Sequence, residues 1–135
     1  MTLIVGYDGG ESADAALEAA ISLALALDEP LFVVCGVSPP GGMGEEYDVL
    51  EEAIVDALSP VVEAAVARAR VAGVSTNPIL VDASPVDALL TAAVEHQARM
   101  IIVGYGAAGR IRAALFGAVS HKVLDESDIP VLVVP

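Results

Sequence analysis

The sequence is short of aromatic residues, of cysteine and of positive charge, and each shortage excludes a class of function. Aromatic residues make up 4% of the chain, with no tryptophan, and 19 acidic residues oppose 6 basic ones, for a net charge of −13. Nucleic-acid phosphates and anionic membrane surfaces would be repelled by that charge, so neither is expected as a partner. The single cysteine, Cys35, lies in an apolar run with no histidine nearby in sequence, and we expect a buried structural thiol.

Targeting signals are lacking as well. The chain begins MTLIV, without the basic segment and long apolar core of a signal peptide. No uncharged apolar run approaches the roughly 20 residues that a membrane span requires. Hydrophobic residues, largely Ala, Val, Leu and Ile, nevertheless make up 56% of the 135 residues. We therefore expect one cytoplasmic domain, residues 1–135, with an aliphatic core.

Four apolar runs without alternation predict strands that are covered on both faces: Leu3–Tyr7, Leu31–Val37, Met100–Val103 and Val131–Val134. The more polar segment Val74–Val81 is predicted as a further strand, the third in chain order. Between them, helical patterns run from a Ser12 N-cap to about Leu27, from Glu45 through Arg70 with a break or restart at Ser59-Pro60, from a Ser84 N-cap to about Ala98, and from about Gly117 to Glu126.

This alternation of strands and helices predicts the fold. We expect an α/β domain with a five-stranded parallel sheet and helices on both faces, open and Rossmann-like. Pro78 indicates that the third strand lies near an edge or starts late. Ligands of such sheets bind beyond the carboxyl ends of the strands, where the strand order reverses. That rule predicts that Asp8, the turn at 36–38 and the loop after Gly104 lie at one edge of the sheet.

The segment from Met100 to Ser120, MIIVGYGAAGRIRAALFGAVS, has the pattern of a phosphate cradle. A buried strand opens into a glycine-rich stretch and then a helix, whose free N–H groups can face an anion. No acidic residue occurs from Gly104 to Leu124, and half of the basic residues of the chain fall in that window: Arg110, Arg112 and Lys122. Ordinary turn chemistry with solvated arginines accounts for the same residues, so both readings stay open.

Several motifs together resemble the universal stress protein family over essentially the full length of the chain. They are VGYDGG, the long acidic second helix, ASPVDALL, IIVGYGAAG, FGAVSHKVL and PVLVVP. The resemblance implies the fold already predicted. In the nucleotide-binding branch of the family it also implies a signature: Gly, two residues, Gly, nine residues, Gly, then Ser or Thr.

This chain follows that signature in part. Gly104 and Gly117 match its first and third glycines with the correct total spacing, whereas Ala107 and Ala118 replace the second glycine and the hydroxyl residue. Ser120 matches a second hydroxyl that is often found there. A non-glycine residue in a left-handed conformation costs roughly 1 kcal/mol, and a lost hydrogen bond costs about 0.5–1.5 kcal/mol. The two alanines would therefore weaken a nucleotide site without abolishing it.

The resemblance implies a ligand and the residues that hold it. Asp8 matches the acid after the first strand, and Gly36 falls where the backbone contacts adenine. The implied ligand is ATP or AMP, and its implied contacts are Asp8, Gly36, Gly104, Ala107, Gly117, Ala118 and Ser120. The basic window adds Arg110 to the expected site. Asp8 would lie beside any Mg²⁺ on the nucleotide; alternatively, it accepts backbone N–H groups at a helix start.

Catalytic groups are scarce. The two histidines, His96 and His121, belong to helical patterns; His121 follows Ser120 and could approach a phosphate, but both fit surface positions. The chain has no Cys/His cluster for a metal and no P-loop lysine. We expect a binding protein, with at most very weak ATP hydrolysis.

The final strand suggests a protein partner. Val131–Val134 is apolar and ends the chain, which predicts a sheet edge that needs cover. The resemblance implies a homodimer that pairs this strand across a two-fold axis. The alternatives are a central strand, or an edge protected by Pro130 and Pro135.

Two functions therefore stay open. One is an adenine-nucleotide-binding stress sensor or regulator that acts as a homodimer, favoured by Asp8, Gly117, Ser120 and the basic window. The other is a universal stress protein that does not bind nucleotide and acts as a dimeric protein-interaction module, favoured by Ala107 and Ala118.

Overall fold

A five-stranded parallel sheet organises the chain. The computed structural model describes residues 1–39, 44–106 and 118–135. Its strands are β1 (Thr2–Gly6), β2 (Leu31–Gly36), β3 (Thr76–Val81), β4 (Ala98–Gly104) and β5 (Val131–Val134). Their order is β3-β2-β1-β4-β5, and every neighbouring pair runs parallel. The predicted sheet is confirmed, as is the edge position that Pro78 indicated for β3.

Four described helices cover the two faces of this sheet. They are α1 (Glu11–Leu27), α2 (Glu45–Val71), α3 (Pro85–Glu95) and α4 (Ala118–Glu126). One core joins α1 and α2 to one face, and a second core joins α3 and α4 to the other. Among the residues described here, no helix is long and apolar enough to cross a membrane.

The central strand shows why the apolar runs do not alternate. Leu3 and Val5 pack into the core under α1 and α2, whereas Ile4 between them packs into the core under α3 and α4. All three side chains are completely buried. A strand that is covered on both faces needs an apolar residue at every position, and this requirement produced the recognisable sequence pattern.

Four differences from the predicted elements, three in helices and one in a strand, have a local cause. Helix α1 begins at Glu11 after an extended Gly10, so Ser12 lies inside its first turn and is not the N-cap. Helix α2 continues through Pro60 without the predicted break. The proline removes the backbone hydrogen bond to the carbonyl of Asp56, and both residues are exposed, so water can replace that bond.

The two remaining differences concern helix α3 and strand β3. Helix α3 stops at Glu95, and Gln97 adopts a left-handed conformation with φ of 51° that turns the chain into β4. The predicted Ser84 cap is confirmed, since its Oγ accepts the N–H of Asp87 at 3.2 Å. Strand β3 starts at Thr76, two residues later than predicted, because Val74 still closes the end of α2 by donating its N–H to the carbonyl of Ala69.

Candidate functional site

A cleft of about 620 Å³ opens at the carboxyl ends of β1 and β4. The chain builds β2 and β3 on one side of β1 and then crosses to build β4 and β5 on the other. Strand order therefore reverses between β1 and β4, and the helices that follow these strands diverge to opposite faces. This divergence leaves the opening where open α/β sheets bind their ligands.

The walls of the cleft are mostly apolar. Strands β2 and β4 contribute Val34 and Val103, helix α2 contributes Leu58, and helix α3 contributes Pro85 and Leu89. Such walls suit a flat uncharged group, because water leaves their surface when the group binds. The volume lies within the range of about 300–1,000 Å³ that is common for small-molecule sites.

Two helix N-termini open onto the cleft, and they differ in charge. Helix α1 presents Glu11 at its start and carries Asp14 in the same turn. The first described turn of α4 lines the cleft with Ala118, Val119 and Ser120 and holds no acidic residue. An anion is therefore favoured at α4 and disfavoured at α1.

Asp8 lies at the mouth of the cleft, directly after β1. Its Oδ1 accepts the backbone N–H of Gly10 at 2.9 Å, which orients the turn into α1. Of the two readings that the sequence left open, the capping role is therefore present in the structure. The side chain is exposed and lines the cleft, so its second oxygen can face a ligand or a ligand-bound cation.

Two predicted site glycines are required by the packing of the protein itself. A Cβ on Gly36 would lie 2.6 Å from the carbonyl oxygen of Ala83 and 2.8 Å from the nitrogen of Pro85. A Cβ on Gly104 would lie 2.3 Å from the carbonyl oxygen of Ser12. Neither approach is possible for another residue without moving backbone, so these glycines shape the cleft by letting its walls come together.

Ser12 links the beginning of α1 to the residues that follow β4. Its Oγ accepts the backbone N–H of Gly106 at 2.6 Å, although the two residues are 94 positions apart. Gly106 has φ of 86°, a left-handed conformation that favours glycine. Both residues line the cleft.

Cys35 lines the apolar wall, and it is 4% exposed. Burial, with a smaller contribution from the negative charge of Asp8, raises the pKa of its thiol to about 11. The thiol is therefore protonated at neutral pH and is not a nucleophile. This agrees with the structural role predicted from its apolar run.

Tyr7 anchors the floor of the cleft to α1. Its hydroxyl donates to Asp14 Oδ1 at 2.6 Å, and Arg68 of α2 also donates to that oxygen, at 3.2 Å. A second Arg68 nitrogen bonds Glu18. Burial, and then the hydrogen bond to Asp14, raise the pKa of Tyr7 to about 12.

The structure brings five of the predicted site residues to this one cleft. They are Asp8, Gly36, Gly104, Ala118 and Ser120. Ala107, Arg110 and Gly117 lie outside the described residues. Within the described part of its lining, the cleft has no Lys, Arg or His.

Neither of the two histidines is among the residues that line the cleft. His121 is exposed, and its Nε2 lies 3.8 Å from Asp125 Oδ2 one helical turn later. His96 ends α3 and stacks on Phe32 with ring centroids 4.1 Å apart, so it is half-buried and not the surface residue expected. Among residues 1–39, 44–106 and 118–135, no group of three metal-ligating side chains occurs.

Sequence reasoning missed several lining residues. The sequence pattern predicts Ser12 only as a helix cap. Its position shortly after the first strand is nevertheless a signal that it lies near Asp8, at the carboxyl end of the sheet. No feature of the sequence predicts that Leu58 and Leu89 line the cleft. Each belongs to an amphipathic helix, and only the packing of that helix decides which apolar residue reaches the cleft.

Comparison with known proteins identifies close relatives of this architecture. A sequence profile of the universal stress protein family matches residues 1–135. A universal stress protein of Thermus aquaticus is 30% identical over 135 residues, which cover 98% of this chain and 97% of the relative.

Solved structures agree with this sequence match. A universal stress protein in complex with cAMP superposes with a TM-score of 0.73 at 28% identity, covering 100% of this chain and 97% of the other. The universal stress protein from Archaeoglobus fulgidus in complex with dAMP superposes with a TM-score of 0.74 at 25% identity, covering 100% and 98%.

Proposed function

The chain belongs to the universal stress protein family, and from that premise we propose that it binds an adenine nucleotide, ATP or AMP, in the cleft between β1 and β4. The observation that carries the proposal is the polarity of the cleft. Apolar walls at one side suit a base, and the acid-free first turn of α4 at the other suits a phosphate. Relatives that bind cAMP and dAMP support the same class of ligand.

The polarity suggests an orientation for the nucleotide. The adenine lies between the strand ends and α3, where Val34, Val103 and Leu89 offer apolar contacts and the backbone at Gly36 is approachable. The phosphates lie toward Ala118 and Ser120, away from the carboxylate of Glu11. Gly117 of the family signature and Arg110 of the acid-free basic window are expected on the phosphate side, and Ala107 beside the ribose.

Asp8 has a separate part in this proposal. With Oδ1 bonded to the N–H of Gly10, the other carboxylate oxygen is the atom that would approach Mg²⁺ on a triphosphate. A divalent ion there would also screen the repulsion between Asp8 and the phosphates. Triphosphate binding should therefore depend on Mg²⁺ more strongly than monophosphate binding.

The test is calorimetry with ATP and AMP, with and without Mg²⁺, together with mass spectrometry of any nucleotide released when the purified protein is denatured. Binding in the micromolar range is expected, and Gly117→Val should abolish it. Ala118→Ser restores the hydroxyl of the family signature and should tighten AMP about two- to tenfold.

Asp8→Asn keeps an oxygen for the Gly10 N–H but loses the charge, so it should remove the effect of Mg²⁺ on ATP binding. Asp56→Asn on the exposed face of α2 is the matched control and should bind as the wild type does. No released nucleotide and no heat at millimolar ligand would reject the proposal in favour of an interaction module without nucleotide.

We further propose that the protein acts as a homodimer through β5, as a stress-response sensor or regulator. Strand β5 is an edge of the sheet within this chain, so the predicted alternative of a central strand is wrong. The carbonyl of Pro130 accepts the N–H of Ile101 in β4, and the carbonyl of Val134 accepts the N–H of Tyr105 just after β4. By alternation, the backbone N–H and C=O of Val131 and Val133 face away from β4. A second copy would satisfy those groups. A cytoplasmic location stays a prediction from the sequence.

Sedimentation of the wild type and of Val133→Pro tests the dimer. The substitution removes an outward N–H and no bond to β4, so it should yield monomers that keep the fold. Val133→Thr keeps the N–H and should remain dimeric. A wild type that sediments as a monomer at micromolar concentration contradicts pairing through β5.

A further inference from the structure

We propose that Ser12 is a positioning residue for nucleotide binding: it holds the backbone after β4 in the geometry that phosphate recognition requires. This inference rests on the proposed nucleotide function and adds a residue to it. Ser12 lies outside the family signature, and the sequence pattern predicts only a helix cap there, because its hydrogen-bond partner is 94 residues away.

The main contact is short and well placed. Ser12 Oγ accepts the Gly106 N–H at 2.6 Å. One residue earlier, the N–H of Tyr105 donates to the carbonyl of Val134 at 3.0 Å. Successive N–H groups are thus held from opposite sides, by α1 and by β5, and the backbone orientation at Tyr105 and Gly106 is fixed.

The close approach of the two segments makes Ser12 hard to replace. The first turn of α1 lies against the end of β4 so tightly that a Cβ on Gly104 would meet the Oγ, the carbonyl oxygen and the carbonyl carbon of Ser12 at 2.1, 2.3 and 2.6 Å. A small side chain with an oxygen one bond beyond Cβ is what fits this space and reaches the Gly106 N–H. Alanine fits but cannot accept the hydrogen bond.

The position of this contact links it to the ligand. Ser12, Gly104 and Gly106 all line the cleft, as does the first described turn of α4. Gly106 has φ of 86°, a conformation that would be lost more readily without the bond. The residues that follow it carry the family phosphate signature. Loosening Gly106 should therefore weaken contacts to phosphate more than contacts to the base, which lies against β2 and α3.

The experiment compares AMP and adenosine on four proteins: the wild type, Ser12→Ala, Ser12→Thr and Ser22→Ala. Ser22 lies on the exposed face of α1 and provides the matched control. Ser12→Ala should weaken AMP about five- to tenfold and adenosine less than about twofold, since one hydrogen bond is lost. Ser12→Thr should restore AMP binding, and Ser22→Ala should change neither ligand.

Amide hydrogen exchange at Gly106 provides a second readout that needs no ligand. Exchange there should be faster in Ser12→Ala than in the wild type and should return toward the wild-type rate in Ser12→Thr. The positioning role is overturned if Ser12→Ala leaves AMP affinity unchanged, or if AMP and adenosine weaken by the same factor. A wild type that binds neither ligand rejects the nucleotide function itself, and the role of Ser12 with it, before any variant is compared.

Discussion

Gly6 and Gly104 end the neighbouring strands β1 and β4. Gly6 packs against side chains, whereas Gly104 packs against the backbone of Ser12. A Cβ on Gly6 would lie 3.3 Å from the methyl groups of Leu89, which is a side chain that can move. A Cβ on Gly104 would overlap the backbone of Ser12. The same substitution should therefore have different effects at these two positions.

We expect Gly104→Ala to lower the free energy of unfolding by about 3 kcal/mol or more, near the upper end of overpacking costs, because α1 must move away from β4. Gly6→Ala, the matched control, should cost less than about 1 kcal/mol. Urea unfolding of both variants measures the difference. Equal effects would show that α1 yields as easily as the side chain of Leu89.

Titration of Tyr7 should lower the stability of the protein at alkaline pH. Its pKa is about 12 in the fold and about 10 in an unfolded chain, so folding favours the neutral phenol. A raised pKa contributes stability that is complete below pH 10 and is lost as the pH rises toward 12. The free energy of unfolding should therefore fall over this interval.

In Tyr7→Phe that part of the decline should disappear, and stability at pH 7 should drop because the hydrogen bond to Asp14 is gone. Urea unfolding at pH 7, 9, 10 and 11 measures both effects. The absorbance of tyrosinate in folded and urea-unfolded protein gives an independent check. Parallel pH profiles for the two proteins would contradict the assignment.

At the scale of elements, helix α2 consists of two unlike halves. Its fully buried residues, Val62, Ala65, Val66 and Ala69, all follow Pro60. The first half, residues 45–58, packs on the core only through half-buried side chains such as Ile54, Val55 and Leu58, and it also joins a polar cluster at the ends of β2 and β3. There the Tyr47 hydroxyl lies 2.6 Å from Ser38 Oγ and donates to Asp82 Oδ1 at 2.8 Å.

Tyr47→Phe should loosen the first half of α2 without disturbing the second. We expect amide hydrogen exchange at residues 45–53 to accelerate about three- to tenfold, and exchange at 62–71 to stay unchanged. Val49→Ala, at an exposed position on the same half, is the control. Uniform acceleration along α2 would mean that the helix opens as one unit.

The elements were predictable from sequence to the extent that each follows a local rule. Strands β1, β2, β4 and β5 were predictable because strands that contact both cores carry continuous apolar runs, and the Ser84 cap was predictable because capping is local. The break predicted at Pro60 is absent because the cost of a proline within a helix depends on solvent exposure, which the sequence does not state. Contacts such as Ser12 to Gly106, and the choice of Leu58 as a wall of the cleft, depend on how separate elements dock.

At the scale of the whole molecule, the net charge of −13 opposes compaction. Four of the six basic residues lie in the described part of the chain: Arg68, Arg70, Arg99 and Lys122. Two of these, Arg68 and Arg99, already pair with carboxylates. Salt screens repulsion between exposed charges over about 10 Å at 0.1 M. We expect the urea midpoint to rise when sodium chloride increases from 0.05 to about 1 M.

A variant with Glu52, Asp56 and Glu63 changed to their amides should be less sensitive to salt, since these exposed residues of α2 add to the repulsion. Unfolding in urea, which is uncharged, keeps the denaturant from acting as a salt. Equal wild-type stability at both salt concentrations would show that the acidic surface does not limit folding.

The strand order β3-β2-β1-β4-β5 has a consequence for how the protein is made. A ribosome releases β1 first, yet this strand becomes the centre of the sheet only when Leu3 meets Met100. Until then the nascent chain can pair β1 only with β2, which in turn pairs with β3, and the other edge of β1 stays open. That edge is the surface that a chaperone would have to shield during translation.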